Sequence, residues 1–201
     1  GRRQALNDQI TDRLKSLLMR QNVVFYPAQS KLDHQGRQLV FGANKATLIT
    51  EILLPEGLLL YWPSDADALD QHHHARLLSA EAKARREKRG LWQGGGDIIA
   101  CANNALKQQG RPALVVGQVH SVSGSGSRTF VNFSADWAQD FTVLAEGAAI
   151  SRALEAKSLA AGDFVMVRGW LERWRGPFIK LTDAARLTKL EDLALVADVC
   201  D

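Results

Sequence analysis

The sequence predicts an α+β, mainly β fold in two units, and three observations carry that expectation. Apolar residues recur at helical spacing through the first 93 positions, strand-like alternation takes over from Ala113, and Gly94-Gly95-Gly96 separates the two patterns. Charge divides at the same place, +4 up to Gln93 and −1 beyond it, for a total of +3 over 201 residues. With 46% hydrophobic residues and 5 prolines, disordered and collagen-like classes are excluded. The longest apolar runs, Ile52 to Leu54 and Leu58 to Trp62, fall far short of the roughly 18–20 residues a bilayer span needs, so no membrane span is expected. The small positive charge permits a polyanionic partner without demanding one.

Taken in order, Leu6, Ile10, Leu14, Leu17 and Leu18 with charges between them predict an amphipathic helix over residues 4–20. Val23 to Tyr26 and Leu39 to Phe41 are β-prone, and Asp33-His34-Gln35-Gly36 between them has turn chemistry, so a hairpin follows. A second helix is expected from Thr47 to Glu56, ended by Pro55 and Gly57, then a short extended segment, Leu58 to Trp62. Residues 65–89 contain no Gly or Pro and predict one long helix closed by Gly90. Its cationic end, Arg85, Arg86, Lys88 and Arg89, suits the helix dipole and reads as a solvated helix terminus.

Residues 94–112 read as a linker with a short helix from Ile98 to Gln108 that could pack on the first unit. Residues 113–190 then give strands at Leu114 to Val122, Thr129 to Phe133 and Asp140 to Leu144, a helix at Ala148 to Leu159, and strands at Phe164 to Leu171 and Phe178 to Leu181, before a tail over 191–201. The order β-β-β-α-β-β is that of the five-stranded oligonucleotide and oligosaccharide binding (OB) barrel. Phe130, Phe133, Trp137, Phe141, Trp170, Trp174 and Phe178, with Arg128, Arg168, Arg173, Arg175 and Lys180 close by, supply the residue types of a base-stacking platform. Alternation assigns Val131, Phe133, Val165 and Val167 to the interior, which puts Trp170 on the opposite side and Trp174 in the turn between the last two strands. These two are the surface candidates.

Three blocks of the first unit carry a resemblance: Asp33-His34-Gln35-Gly36-Arg37, then Leu54-Pro55-Glu56-Gly57-Leu58, then Glu81-Ala82-Lys83-Ala84-Arg85 running on to Gly90-Leu91-Trp92. In this order and spacing they resemble the latter part of the staphylococcal nuclease (thermonuclease) family over residues 1–93, in which a basic-Tyr-Gly-Arg motif precedes a helix ending Gly-Leu-Trp. The second unit, through Gly117-Gln118-Val119, Val131-Asn132-Phe133 and Arg168-Gly169-Trp170-Leu171-Glu172, is similar to an accessory barrel appended to some bacterial thermonuclease-like proteins.

The resemblance implies a partial nuclease barrel and nucleic-acid phosphodiester hydrolysis. It makes Arg37 the catalytic candidate, because a guanidinium at the reacting phosphate stabilises charge that develops on its oxygens. His34 and Gln35 stand where the family has a basic residue and Tyr, and are candidate nucleic-acid contacts beside Arg128, Arg168, Trp170, Arg173, Trp174 and Arg175. In the family, strands preceding the first helix supply the carboxylates that hold Ca2+. This chain opens at that helix, so no cofactor is expected in it, Ca2+ is expected only where a longer chain supplies those strands, and this polypeptide alone is expected not to cleave. The other reading is a nucleic-acid- or protein-binding module without catalysis, with a protein partner or a second copy completing the partial barrel. His72-His73-His74 point about 100° apart on a helix and are not expected to share a metal ion. Cys101 and Cys200, 99 positions apart, leave one bridge and two free thiols equally open. The opening Gly1-Arg2-Arg3 says nothing of compartment; only the resemblance leans towards an extracytoplasmic one.

Overall fold

The structure, a computed structural model, describes residues 2–19, 22–32, 36–45, 47–63, 71–93, 99–136, 141–174, 176–191, 197 and 199–200. The chain forms two units that meet in sequence at Gly94 and Gly95.

In the first unit, helix α1 (Arg2–Leu18) buries Leu17 and packs Leu6, Ile10 and Leu14 against Ile49, Leu53 and Leu58, while Leu18, which the spacing also singled out, is 40% exposed. Strands β1 (Val23–Leu32) and β2 (Gln38–Asn44) pair antiparallel from Val23↔Asn44 to Pro27↔Val40, then shift register before Leu32↔Gln38. The turn residues Asp33, His34 and Gln35 lie outside the described residues. The second helix is shorter than expected. Thr47 and Leu48 form strand β3 against Asn44 and Ala43, and α2 covers only Ile49–Leu53, with the Glu51 carboxylate accepting the Leu48 N–H at 3.1 Å. Leu58 to Trp62 adopts no strand; the Tyr61 N–H donates to the fully buried Glu81 carboxylate at 2.8 Å instead of to a sheet neighbour.

Helix α3 spans Gln71–Arg86 and ends before Gly90. Lys88 takes the left-handed position (φ 49°), the Arg89 N–H reaches back to Ala84 O (2.9 Å) and the Lys88 N–H to Arg85 O (3.0 Å), which is the Schellman arrangement closed by lysine. Gly90 instead serves a backbone crossing. A Cβ on Gly57 (φ 71°) would stand 2.3 Å from Arg89 O, and one on Gly90 (φ 51°) 2.4 Å from Gly57 O, while the Leu91 N–H donates to Gly57 O at 2.8 Å. The glycines of two family-like blocks are therefore a single structural device.

The second unit begins earlier than expected. Ile99–Cys101 is a strand, β4, parallel to β5 (Pro112–Gln118), and the 3₁₀ turn Ala102–Gln108 buries Ala102 and Ala105 in the second unit's own core. The expected first barrel strand divides into β5 and β6 (Ser121–Ser125), because at the break Val119 N–H donates to Asp163 O and His120 N–H to Asn132 O. Then come β7 (Arg128–Asn132), β8 (Thr142–Glu146), helix α4 (Ala148–Glu155), β9 (Phe164–Trp174), β10 (Gly176–Leu181) and β11 (Leu187–Lys189), the last paired to β9. Strand β9 runs on to Trp174, so that residue ends a strand rather than sitting in a turn.

Neighbours run β5-β9-β10-β8-β7-β6, and since β6 continues directly from β5 the path closes on itself. In the ring only β8 and β10 are parallel. This is the OB connectivity that the element order predicted. Val115, Val131, Val143, Val165, Val167, Leu171 and Ile179 fill it, Phe133 meets Phe141 at 5.0 Å between ring centroids, and Leu154 of α4 is buried in the same core. Gly169 lets β9 approach β10: a Cβ there would lie 2.1 Å from Ile179 Cγ2. Cys101 and Cys200 form a disulfide (Cα–Cα 5.1 Å), which settles the open alternatives.

Candidate nucleic-acid interface

Register fixes which side chains share a face, because directly opposed residues in neighbouring strands point the same way. With Val131, Val143, Ile179 and Leu171 fully buried inside the ring, the intervening residues form an outer face in three rows. One row is Ser121, Asn132, Thr142, Phe178 and Glu172; the next is Ser123, Phe130, Leu144 and Lys180; the third is Ser125, Arg128 and Glu146. Phe130, Leu144 and Phe178 are half-buried. Trp170, the neighbour of inward-facing Leu171 and hence on the outer side, is 52% exposed. The serines of β6 line one edge of this surface, Phe178 lies in the first row, Phe130 and Lys180 in the second, and Arg128 in the third.

Glu146 sets the electrostatics. Its carboxylate accepts from Arg128 (2.7 Å) and from Lys180 Nζ, and these two cations, Lys180 foremost, hold its carboxyl below the usual carboxylate range. The three groups together carry one net positive charge. A phosphate arriving there competes with a carboxylate for the same donors. Sequence reasoning missed Glu146; the signal was its position opposite Arg128 across a strand pair.

Of the residues expected to contact nucleic acid, Trp170, Arg173 and Arg128 are exposed on the second unit. Arg168 corrects its expectation. It is 1% exposed, and its Nη1 donates to Thr188 Oγ1 at 3.5 Å. Alternation does put it on the outer side with Met166 and Trp170, but Leu114 and Val116, which face Arg168 and Met166 across the pair, and Cys101, which faces Val116, are also buried. That stretch of the exterior is a second apolar layer, fastened by the Cys101–Cys200 bridge, and not a solvent surface. The Trp174 side chain, Arg175 and Trp137 lie outside the described residues, as do His34 and Gln35.

In the first unit, Arg37 is exposed immediately before β2. The cationic helix end is engaged structurally: Arg85 lies 5.9 Å from the Trp92 ring centroid, and Arg89 pairs with Glu87 (2.6 Å) and donates to Pro55 O (3.3 Å). His74 Nδ1 is hydrogen-bonded to the Tyr61 hydroxyl. Among the described residues no three His, Cys, Asp or Glu side chains converge as a metal site would require. No helix among the described residues is long and apolar enough to cross a membrane.

A comparison with protein families matches residues 3–94 to the staphylococcal nuclease homologue model, so the match stops where the first unit stops. No curated protein matches the chain. The helix, the hairpin whose second strand follows Arg37 and the Gly57–Gly90 crossing thus lie within the stretch, residues 3–94, that matches the staphylococcal nuclease homologue family, and that stretch is joined in one chain to a closed β-barrel of OB connectivity.

Proposed function

We propose that this polypeptide binds single-stranded nucleic acid on the outer face of its second unit and, by itself, does not cleave it. The supporting observation is the exposed Trp170 on the outer side of β9, with half-buried Phe130 and Phe178 and exposed Lys180 on the outer rows. Bases stack on such rings irrespective of sequence, at roughly 1–3 kcal/mol per base, while the cations follow the phosphates. Descent from a phosphodiesterase family supports the choice of ligand. The absence of cleavage rests on chemistry: hydrolysis requires charge stabilisation at the phosphorus oxygens and an activated water, and removal of one well-placed donor alone commonly costs about 10²–10³ in rate. Arg37 supplies one such donor, and among the described residues no three His, Cys, Asp or Glu side chains converge to hold an activating cation.

The test is anisotropy of a labelled oligonucleotide beside a cleavage assay with Ca2+ or with EDTA. Trp170→Ala is expected to weaken binding about 5- to 100-fold. Glu146→Gln, which releases Arg128 and Lys180, is expected to tighten binding and steepen its salt dependence. Equal affinity of Trp170→Ala and the parent removes the binding reading, and Ca2+-dependent cutting abolished by Arg37→Ala removes the non-cleaving one.

A second reading is favoured by the hairpin. Val24, Phe25, Tyr26, Leu32, Leu39 and Val40 are each 41–58% exposed, and with Pro27 in β1 they leave a sheet that is apolar and open. Together they expose on the order of 500 Å² of apolar surface, the scale of a protein contact. We take the occupant to be a second copy of this chain, and sedimentation of the parent against Tyr26→Lys/Leu39→Lys distinguishes a self-associating protein from a monomer.

A further inference from the structure

The second unit carries a cavity of about 460 Å³ that the outer face does not use. It opens at the end of the barrel where β5 gives way to β6, and its frame is hydrogen-bonded: Val119 N–H donates to Asp163 O and Gly162 N–H to Val119 O, both at 2.8 Å, and Gln118 Nε2 donates to Gly162 O at 3.2 Å. The rings of Phe133 and Phe164 and the Cys101–Cys200 bridge form its apolar wall. Asn103, Gln118 and His120 supply its polar edge.

Three features define the ligand. No Lys, Arg, Asp or Glu is among the described residues of the lining, so neither a phosphate nor a carboxylate would find a permanent counter-charge there. The Asn103 carboxamide and the His120 imidazole make no hydrogen bond within the described residues, which leaves the carboxamide's own adjacent donor and acceptor, and the imidazole, unengaged in the lining. The volume lies within the usual ~300–1,000 Å³ of small-molecule pockets. A neutral, flat heterocycle with an adjacent donor and acceptor meets all three, and a carboxamide matches that pattern best on adenine. Position supplies the connection: the His120 N–H is bonded to Asn132 O, and the next residue, Ser121, begins the first row of the outer face.

We propose that this cavity is a nucleobase subsite, with a preference for adenine, that receives one unstacked base of a strand lying on the outer face; the strand-bound form of the inference rests on the binding function proposed above. The neutral pocket reads the base while the face and its cations hold the backbone.

The experiment uses the full disulfide-bonded chain without reductant. Anisotropy is measured for homo-oligomers of dA, dC and dT of equal length, with the parent, with Trp170→Ala and with Asn103→Ala/His120→Ala. The parent is expected to prefer dA by about 5- to 100-fold, the range a bidentate base contact confers. Trp170→Ala should weaken every oligomer and keep the ratio, whereas Asn103→Ala/His120→Ala should erase the ratio and keep most of the affinity. In a second arm, free adenosine should shift the backbone resonances of His120 and Gly162, with cytidine much weaker. That arm stands even if no oligomer binds, which would sink the face and spare the pocket. Oligomer binding that depends on Trp170 but shows no base preference, or a preference that survives in the double variant, overturns the subsite and leaves the face intact. Adenosine shifts confined to residues away from the cavity also overturn it.

Discussion

The two units solve the same problem differently. The second closes its strands into a ring, so the residues between its buried valines are serines, threonine, asparagine, cations and a few half-covered rings. The first leaves a three-stranded sheet open, and six of the ten large hydrophobics exposed among the described residues lie on its one hairpin. Closure thus decides what a β-surface can offer a partner. A closed barrel presents a patterned polar and aromatic face, whereas an open sheet presents apolar area and an unpaired edge, of which Pro27 spoils one backbone donor.

The strongest way to break this comparison is to unfasten the closed unit. Removal of the Cys101–Cys200 bridge frees a loop of about 100 residues in the unfolded chain, worth about 4–5 kcal/mol in the chain-entropy account. Cys101→Ser/Cys200→Ser, or reduction, is expected to lower the second unit's melting temperature by more than about 10 °C and leave the first unit's transition in place, as read by calorimetry. A bridge without influence on melting would show that the second apolar layer holds by packing alone.

The first unit has its own single point of failure. Gly57→Ala must place a Cβ against Arg89 O at a positive φ, and is expected to destabilise that unit by about 2–4 kcal/mol in urea titration, leaving the barrel unaffected. Tolerance of Gly57→Ala would show that the crossing with Gly90 has room to relax.

Smaller effects sharpen the contrast in surfaces. Tyr26→Lys/Leu39→Lys should cost less than about 1 kcal/mol, since both side chains are about half-exposed, yet abolish concentration-dependent light scattering. The smallest effect concerns Glu146. Its carboxyl titrates lower in the folded state than in the unfolded chain because of Lys180 and Arg128, so its stabilising contribution is complete above the ordinary carboxylate range and fades as pH falls through its lowered folded value. Glu146→Gln should flatten the acid limb of the barrel's stability curve, and an unchanged limb would assign it to Asp163, which Lys189 and the Ala160 N–H hold low in the same way.

Much of this architecture is legible in the sequence where one periodicity meets one burial surface. Helix α1 and the barrel's element order are read correctly for that reason. Failures occur where a long-range partner overrides a local signal. Leu58 to Trp62 has strand composition, but a buried carboxylate from α3 takes its backbone donor. Gly90 has the right residue type for a helix stop, yet Lys88 closes the helix because Gly57 claims Gly90. Ile99 to Cys101 is too short to signal a strand until β5 pairs with it. At the site, alternation placed Trp170 and Arg168 on the outer side alike and could not tell that one part of that side is covered. The pairing of Glu146 with both cations requires β7, β8 and β10 in register, which no local window contains.

The disulfide has a consequence for how the chain matures. A bridge of this kind persists in an oxidising milieu. Cys101 precedes every strand of the ring and Cys200 follows them all, so during synthesis the first thiol emerges long before its partner exists. Because these 201 residues hold two cysteines, no wrong bridge can form among them, and closing this one requires an oxidant but no reshuffling of mispaired intermediates within the stretch. Its characteristic misstep is intermolecular, a nascent Cys101 capturing another chain, which makes dilution rather than disulfide isomerisation the condition that favours the native product.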